Sequence, residues 1–469
     1  MYLIYDGAMT HSRRTFLAGA GALASAAVLT PATATAAGEA DPWRQVPRIM
    51  ARVRPPRIPR RDFVVTGFGA DPAAGAASNT AAFARAVAAC SAAGGGRVVV
   101  PPGTFRTGPI HLRSNVELHV GAGATVKFST DPADYLPLVL TRWEGTLCYN
   151  YSPFIYAFEQ RNLAITGSGT LDGDAVNGEW RGWGAGATQE LRRMGEEGVP
   201  VERRIFGPGK RLRPNMIQFF RCRNIAVSDV FITNPAMWSL HFVFSRNITV
   251  RDIHILTTNS QGDGVDLDSS SFAYVADSRF NTNDDCVVLK SGRDADGRQV
   301  GIPTSHVVVE RCKFSGRWGG ITVGSEMSGG VHTAFARDCE INAPDFPGRY
   351  PVKHALYIKT NSDRGGYVDG IHLRDFTGRD VEREILDVSM FYNGGGTKGH
   401  YPRIRNITVD RMRIDGGRVA ANFEGLPQSH IRDVLISDST FTRIAQPNHL
   451  IDTDNLRFRN TTINGRPAG

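Results

Sequence analysis

The chain contains no CxxC pair and no Cys/His spacing of the kind that holds a metal, although it carries six cysteines. This excludes a zinc module and points to neither a metal nor a cofactor. Cys90, Cys148, Cys222, Cys286, Cys312 and Cys339 suit either some pairing or burial as small hydrophobes. Past the first 30 residues no run is apolar enough to cross a bilayer, which excludes a membrane anchor there. Net charge is also scarce outside one segment. The formal +8 resides mostly between Arg44 and Asp62, where seven arginines face one aspartate. An extended basic surface for nucleic acid is therefore absent. Helical periodicity is scarcer still. One stretch, Asn79 to Ala92, predicts a helix, with Asn79 as its N-cap and Gly94-Gly95-Gly96 as its stop.

The N-terminus reads as an address. Ser12-Arg13-Arg14-Thr15-Phe16-Leu17 precedes an apolar run to Leu29, and Ala34-Thr35-Ala36 suits a signal-peptidase cut. Twin arginines in this place resemble the Tat export signal, so residues 1–37 predict a leader and an extracellular protein. Residues 38–61 form a basic lead-in, in which Pro47, Pro55, Pro56 and Pro59 argue against any helix and for a solvated arm. Residues 62–469 make the remaining domain.

That domain is written as many short strands with one recurring phrase. Arg161-Asn162-Leu163-Ala164-Ile165 returns as Arg223-Asn224-Ile225-Ala226-Val227, Arg246-Asn247-Ile248-Thr249-Val250 and Arg405-Asn406-Ile407-Thr408-Val409. Looser copies begin at Ser271, Ser305 and Ser429. Spacings of 23 and 25 residues from Arg223 to Arg246 to Ser271, with β-branched alternation, predict an all-β, single-stranded parallel β-helix. A β-propeller would need units of about 40–50 residues. The repeated Asn predicts side chains stacked at a tight bend and bonded up the column. The predicted helix before the first coil would cap it. Two segments break the rhythm, 175–214 and 293–304, and long loops on a rigid coil form groove walls.

Acidic residues gather at one place. Asp263, Asp266 and Asp268 precede Asp284 and Asp285 by about one coil, so stacking makes neighbours of the two clusters. Crowded carboxylates are the equipment for breaking glycosidic bonds. Turn-forming explains single acids, but not an adjacent pair followed by an apolar strand. Function is the better reading.

The clusters also carry a family resemblance, which runs from about Asp62 to the C-terminus. Gln261-Gly262-Asp263-Gly264 and Asn283-Asp284-Asp285-Cys286 resemble the paired signatures of the polygalacturonases of glycoside hydrolase family 28. Arg142-Trp143-Glu144-Gly145, Tyr149-Asn150-Tyr151-Ser152-Pro153, Gly324-Ser325-Glu326-Met327 and Ile358-Lys359-Thr360-Asn361-Ser362 resemble bacterial exo-acting members. The resemblance implies a right-handed, pectin-lyase-like β-helix and a pectic polysaccharide as partner. It implies an inverting mechanism, with Asp284 donating the proton and Asp263 and Asp285 activating water. Inversion needs an acid and base about 6.5–9.5 Å apart, more than the roughly 4.8 Å between stacked strands, so the two must be offset. Two positions depart from the family pattern. Trp318 stands in place of its Gly-His-Gly histidine, and Tyr357 in place of the arginine of its Arg-Ile-Lys motif.

Several neighbours are candidates for holding substrate. Lys290 and Lys359 favour an anionic sugar by charge, and Trp318 and Tyr357 would line the leaving side. Trp238 and His241 sit one coil before the acids, where they could contact a sugar or simply pack. Trp143 and Glu144 are groove-wall candidates, Asp266 and Asp268 are supports or ladder residues, and Glu326 suits a bend. The expected function is galacturonosyl hydrolysis from chain ends by a monomer. A rhamnogalacturonan-directed hydrolase, a calcium-dependent pectate lyase and a non-catalytic β-helix remain open alternatives.

Overall fold

A computed structural model describes residues 41–468. The expected export signal, residues 1–37, lies outside the described residues. From Pro42 onward the chain forms a single compact unit. Its strands stack in parallel register, coil upon coil, into a right-handed parallel β-helix. One sheet has eleven strands, running from Ile110–His111 through Val265–Asp268 and Val287–Lys290 to His449–Ile451. This sheet carries the acidic clusters. Two further strand columns, begun by Asp62–Val64 and Gly103–Thr107, merge where Val331–Ile341 and Tyr367–Arg379 run unbroken across both.

The alternation read from the sequence fills the interior. In Arg223–Ser228 and Arg246–Arg251 the residues Ile225, Val227, Ile248 and Val250 are fully buried and aligned pairwise. Aromatic rungs stack in the same way, with Phe219 on Phe242 at 5.4 Å and Phe280 on Phe314 at 5.6 Å. Each coil covers the apolar face of its neighbour, so the core is one continuous column.

The repeated asparagines behave as expected along four coils. Asn162 donates to Asn115, Asn224 to Asn162 and Asn247 to Asn224, at 2.7–2.9 Å. All four hold a left-handed backbone, which Asn tolerates better than most residues. Removing the amide from Asn224 breaks two bonds and leaves alanine in that conformation. Asn224→Ala should therefore cost about 1–3 kcal/mol, read as a lowered unfolding midpoint in denaturant. An unshifted midpoint would show that the ladder contributes nothing.

The ladder ends at Asn247, since the next coil sets Phe272 opposite it, and the lead-in docks there. The backbone of Arg54 both donates to and accepts from the Asn247 amide, at 2.8 and 3.1 Å. The lead-in is thus no solvated arm. Trp43, Val46, Ile49 and Val53 are buried against Val308 and Phe335, and Val46–Met50 is helical. Pro47 sits in the first turn of that helix, where its missing N–H costs nothing. A second correction concerns the capping helix, which is Ala76–Ala92, with Gly75 at its N-cap. Asn79 lies inside it, fully buried, and bonds the backbone of Asp71 and Ala74. All six cysteines are buried and unpaired.

Candidate active site

The acids meet on the eleven-stranded sheet. Val265 pairs with Val287 and Leu267 with Leu289, which puts Asp285 level with Asp263. The Gly264 amide donates to the Asp285 carbonyl at 3.0 Å. Asp284 stands one residue further out, so the two clusters are offset along the coil as well as stacked. They open into a pocket lined by Glu144, Arg192, Trp238, Gln261, Asp263, Asp284, Asp285, Lys290, Arg293, Trp318, Ser325, Glu326, Tyr357, Lys359, Arg364, Tyr392 and Asn393.

The three aspartates differ in environment. Asp285 is buried, yet Lys359 at 2.7 Å, the nearby Lys290 and bonds from Gly319 N (2.8 Å) and Thr322 Oγ1 (3.0 Å) outweigh that burial. Its carboxyl is held below the usual range and stays ionised. Asp284 accepts from the amides of Gln261 and Asp285, each at 3.0 Å. Burial, and then the charge of Asp285, still push it up to about 6. Asp263 is pushed well above the ordinary carboxylate value by burial and by Asp266 and Asp284, with Lys290 opposing at 3.5 Å. Side by side, then, stand an ionised carboxylate and carboxyls that keep their protons. That pairing is what acid/base chemistry requires.

The lysines are more committed than their sequence suggested. Lys290 lies 3.1 Å from Glu326, 3.5 Å from Asp263 and 3.7 Å from Asp266, and its Nζ sits 4.4 Å over the Trp238 ring. Lys359 is spent on Asp285. Glu326, expected at a bend, lines the pocket and is held strongly ionised by Lys290, Arg293 and Arg364 despite its burial. Trp238 is both packed, with Trp143 and Met237, and pocket-facing. Trp318 and Tyr357 also line the pocket, as near-parallel rings 6.3 Å apart.

His241 does not touch the pocket, which corrects its expected place in substrate binding. It is fully buried behind Trp238, whose ring meets it edge-on at 4.9 Å. Nδ1 accepts from Gln218 Nε2 at 2.9 Å, and Nε2 faces Asp268 at 3.4 Å. Asp268 in turn takes Arg142 Nη1 at 2.9 Å and the Gly292 amide at 3.0 Å. An imidazole used on both nitrogens is structural. Asp266, fully buried beneath Lys290, is a support as well.

Arg192, Arg293, Arg364, Tyr392 and Asn393 reach the pocket although no motif singled them out. Arg192 comes from Ala185–Glu196, the helix within the 175–214 insertion, and meets Glu144 at 2.7 Å. Glu144 stands at the tip of the hairpin formed by Val139–Trp143 and Thr146–Asn150. Together they form part of the pocket wall. Only the expectation that both interruptions form walls could have found Arg192 and Arg293. Five acids and five bases line the pocket, so the protons on Asp263 and Asp284 leave it with an excess of positive charge.

The profile of Glycosyl hydrolases family 28 matches residues 90–438. The chain belongs to this family. As a family 28 member it is a glycoside hydrolase, which sets aside the lyase and binding-only alternatives. It is similar to the crystal structure of a hyperthermoactive exopolygalacturonase from Thermotoga maritima, at 40% identity and a TM-score of 0.84, covering 90% of this chain and 96% of that one. A probable polygalacturonase of Vitis vinifera is 29% identical, over 77% of this chain and 70% of its own. The exo-poly-alpha-D-galacturonosidase of Dickeya chrysanthemi is 23% identical, over 86% and 71%. Outside the pocket, one group of metal-ligating side chains gathers among the described residues, His354 with Glu384 and Asp387. Glu384 is already neutralised there by Arg418 and Arg383, and Asn422 donates to Asp387 at 2.7 Å. The donor set therefore has its counter-charge within the protein.

Proposed function

We propose that this family 28 enzyme removes galacturonic acid from the ends of pectic chains with inversion at the anomeric carbon. Asp284 protonates the leaving oxygen, while the ionised Asp285 activates the water and Asp263 helps to bind it. The observation that carries this reading is Asp284, pushed up to about 6 next to an Asp285 fixed as carboxylate by Lys359. The cationic excess of the pocket supports an anionic sugar. The wall of Arg192 and Glu144 supports action at a chain end, since a continuous polymer needs a groove open on both sides. The names of the Thermotoga and Dickeya relatives agree with that preference. The twin-arginine sequence at Arg13-Arg14 supports export, where such polymers are met.

A second reading is favoured by the parallel rings of Trp318 and Tyr357. An aromatic wall takes an uncharged sugar on the leaving side as readily as a charged one, and rhamnogalacturonan would offer that. The deciding experiment is proton NMR of a defined oligogalacturonide during the first minutes of digestion. Monogalacturonate should appear first, as the β anomer. Mid-length oligomers would refute exo action, and an initial α anomer would refute inversion. Inactivity on both pectic polymers would refute the function.

A further inference from the structure

Most cations around the pocket already have an anion at close range. Lys290 has Glu326 at 3.1 Å, Lys359 has Asp285 at 2.7 Å, Arg192 has Glu144 at 2.7 Å and Arg293 has Glu326 at 3.0 Å. Arg364 has Asp294 at 2.5 Å. Lys353 is different. Its ammonium has one distant carboxylate, Glu382 at 4.0 Å, and no hydrogen-bond acceptor among the described residues. The side chain is nevertheless largely buried, 13% exposed, with Nζ held 3.8 Å over the Trp318 ring. Its backbone amide is fastened to the Trp318 carbonyl at 3.0 Å.

A largely buried cation held by a ring face, with its one carboxylate 4.0 Å away, keeps most of its charge unspent. Burial draws the Lys353 ammonium below its usual value, while Glu382 and Asp284 oppose that shift. Lys353 thus stands against Trp318, which lines the pocket while Lys353 itself does not, on the aromatic side where the departing sugar must lie if Asp284 protonates its oxygen. Tyr357, in the same wall, offers a ring but no charge.

We propose that Lys353 is the specificity-determining residue of the leaving side, pairing with the carboxylate of the departing uronate while Trp318 and Tyr357 pack on its ring. This inference rests on the galacturonosyl-hydrolase reading and selects a charged leaving sugar over an uncharged one. Lys353 acts on substrate charge, and the chemistry of bond cleavage stays with the aspartates.

The test uses the disaccharide galacturonosyl-galacturonate and the same disaccharide methyl-esterified only on its leaving sugar. The wild-type enzyme should prefer the acid by about 10- to 100-fold in kcat/KM, the range expected of one charge-assisted contact. Lys353→Met, which keeps the stem over the indole, should abolish that preference by slowing the acid alone. Lys353→Arg should retain it. Equal loss on both substrates would show that Lys353 merely braces Trp318, and would overturn the proposal. So would a wild type without preference, or a Lys353→Met variant that keeps it. A wild type inactive on both disaccharides would instead refute the galacturonide reading, and this inference with it.

Discussion

Asp284→Asn should lower kcat on oligogalacturonides by about 10²–10⁴-fold, the range of general acid catalysis, while the chain stays folded. The amide keeps the shape of the carboxyl, but it can accept from only one of the Gln261 and Asp285 amides and has no proton to give. It also removes a carboxyl that burial and Asp285 both disfavour as an anion. An unchanged rate would refute the assigned acid. The wild-type pH profile follows from the same pair. Activity should fall as pH rises through about 6, because Asp284 then loses its proton. On the acid side the limb should lie below the ordinary 3.8, because Asp285 is lowered and must stay ionised. The linkage sign is consistent with this. A carboxyl raised by folding contributes stability that is complete below 3.8 and is lost as pH climbs through about 6. In Asp284→Asn both the upper activity limb and that share of the stability change should disappear.

Arg142→Met should produce the largest loss of stability, about 3–5 kcal/mol, because it strands a buried carboxylate. Arg142 is fully buried. It binds Asp268 at 2.9 Å, Ser269 Oγ at 2.8 Å and the Gly145 carbonyl at 3.0 Å, with Phe244 4.8 Å from its guanidinium. It rivets the hairpin carrying Glu144 onto the coil carrying Asp263 and Asp266. Denaturant unfolding should show the fall, and Asp268→Asn in the same chain should recover part of it, since the stranded charge is gone. A variant that unfolds like the wild type would show that the hairpin is held by its apolar contacts alone.

These two variants mark what could and could not be read beforehand. Asp284 was legible, because an adjacent acid pair before an apolar strand has few other uses, and the coil period placed it beside Asp263. The ladder of Asn162, Asn224 and Asn247 was legible for the same reason, since a fixed period turns sequence spacing into stacking. The pairing of Arg142 with Asp268 spans 126 positions, and no period relates a hairpin to a coil. His241 misled because its spacing fixes only which coil it occupies; the depth of Trp238 in front of it settles what it can touch. The lead-in misled because a count of prolines ignores where each sits in a turn. Lys353 left no signal at all. Its meaning depends on which other cations are already paired, and that is a property of the assembled pocket.

The 175–214 insertion has one further consequence. Asn162 and Asn224, separated by 62 positions, bond as closely as Asn224 and Asn247, separated by 23. The extra chain leaves and re-enters between rungs without disturbing the register of either. Register is therefore independent of the insertion's length, even though its Trp180 is packed into the main core. An engineer can keep Trp180, redraw the helix that carries Arg192, and change what a polymer meets beside the aspartates while the ladder stays as it was.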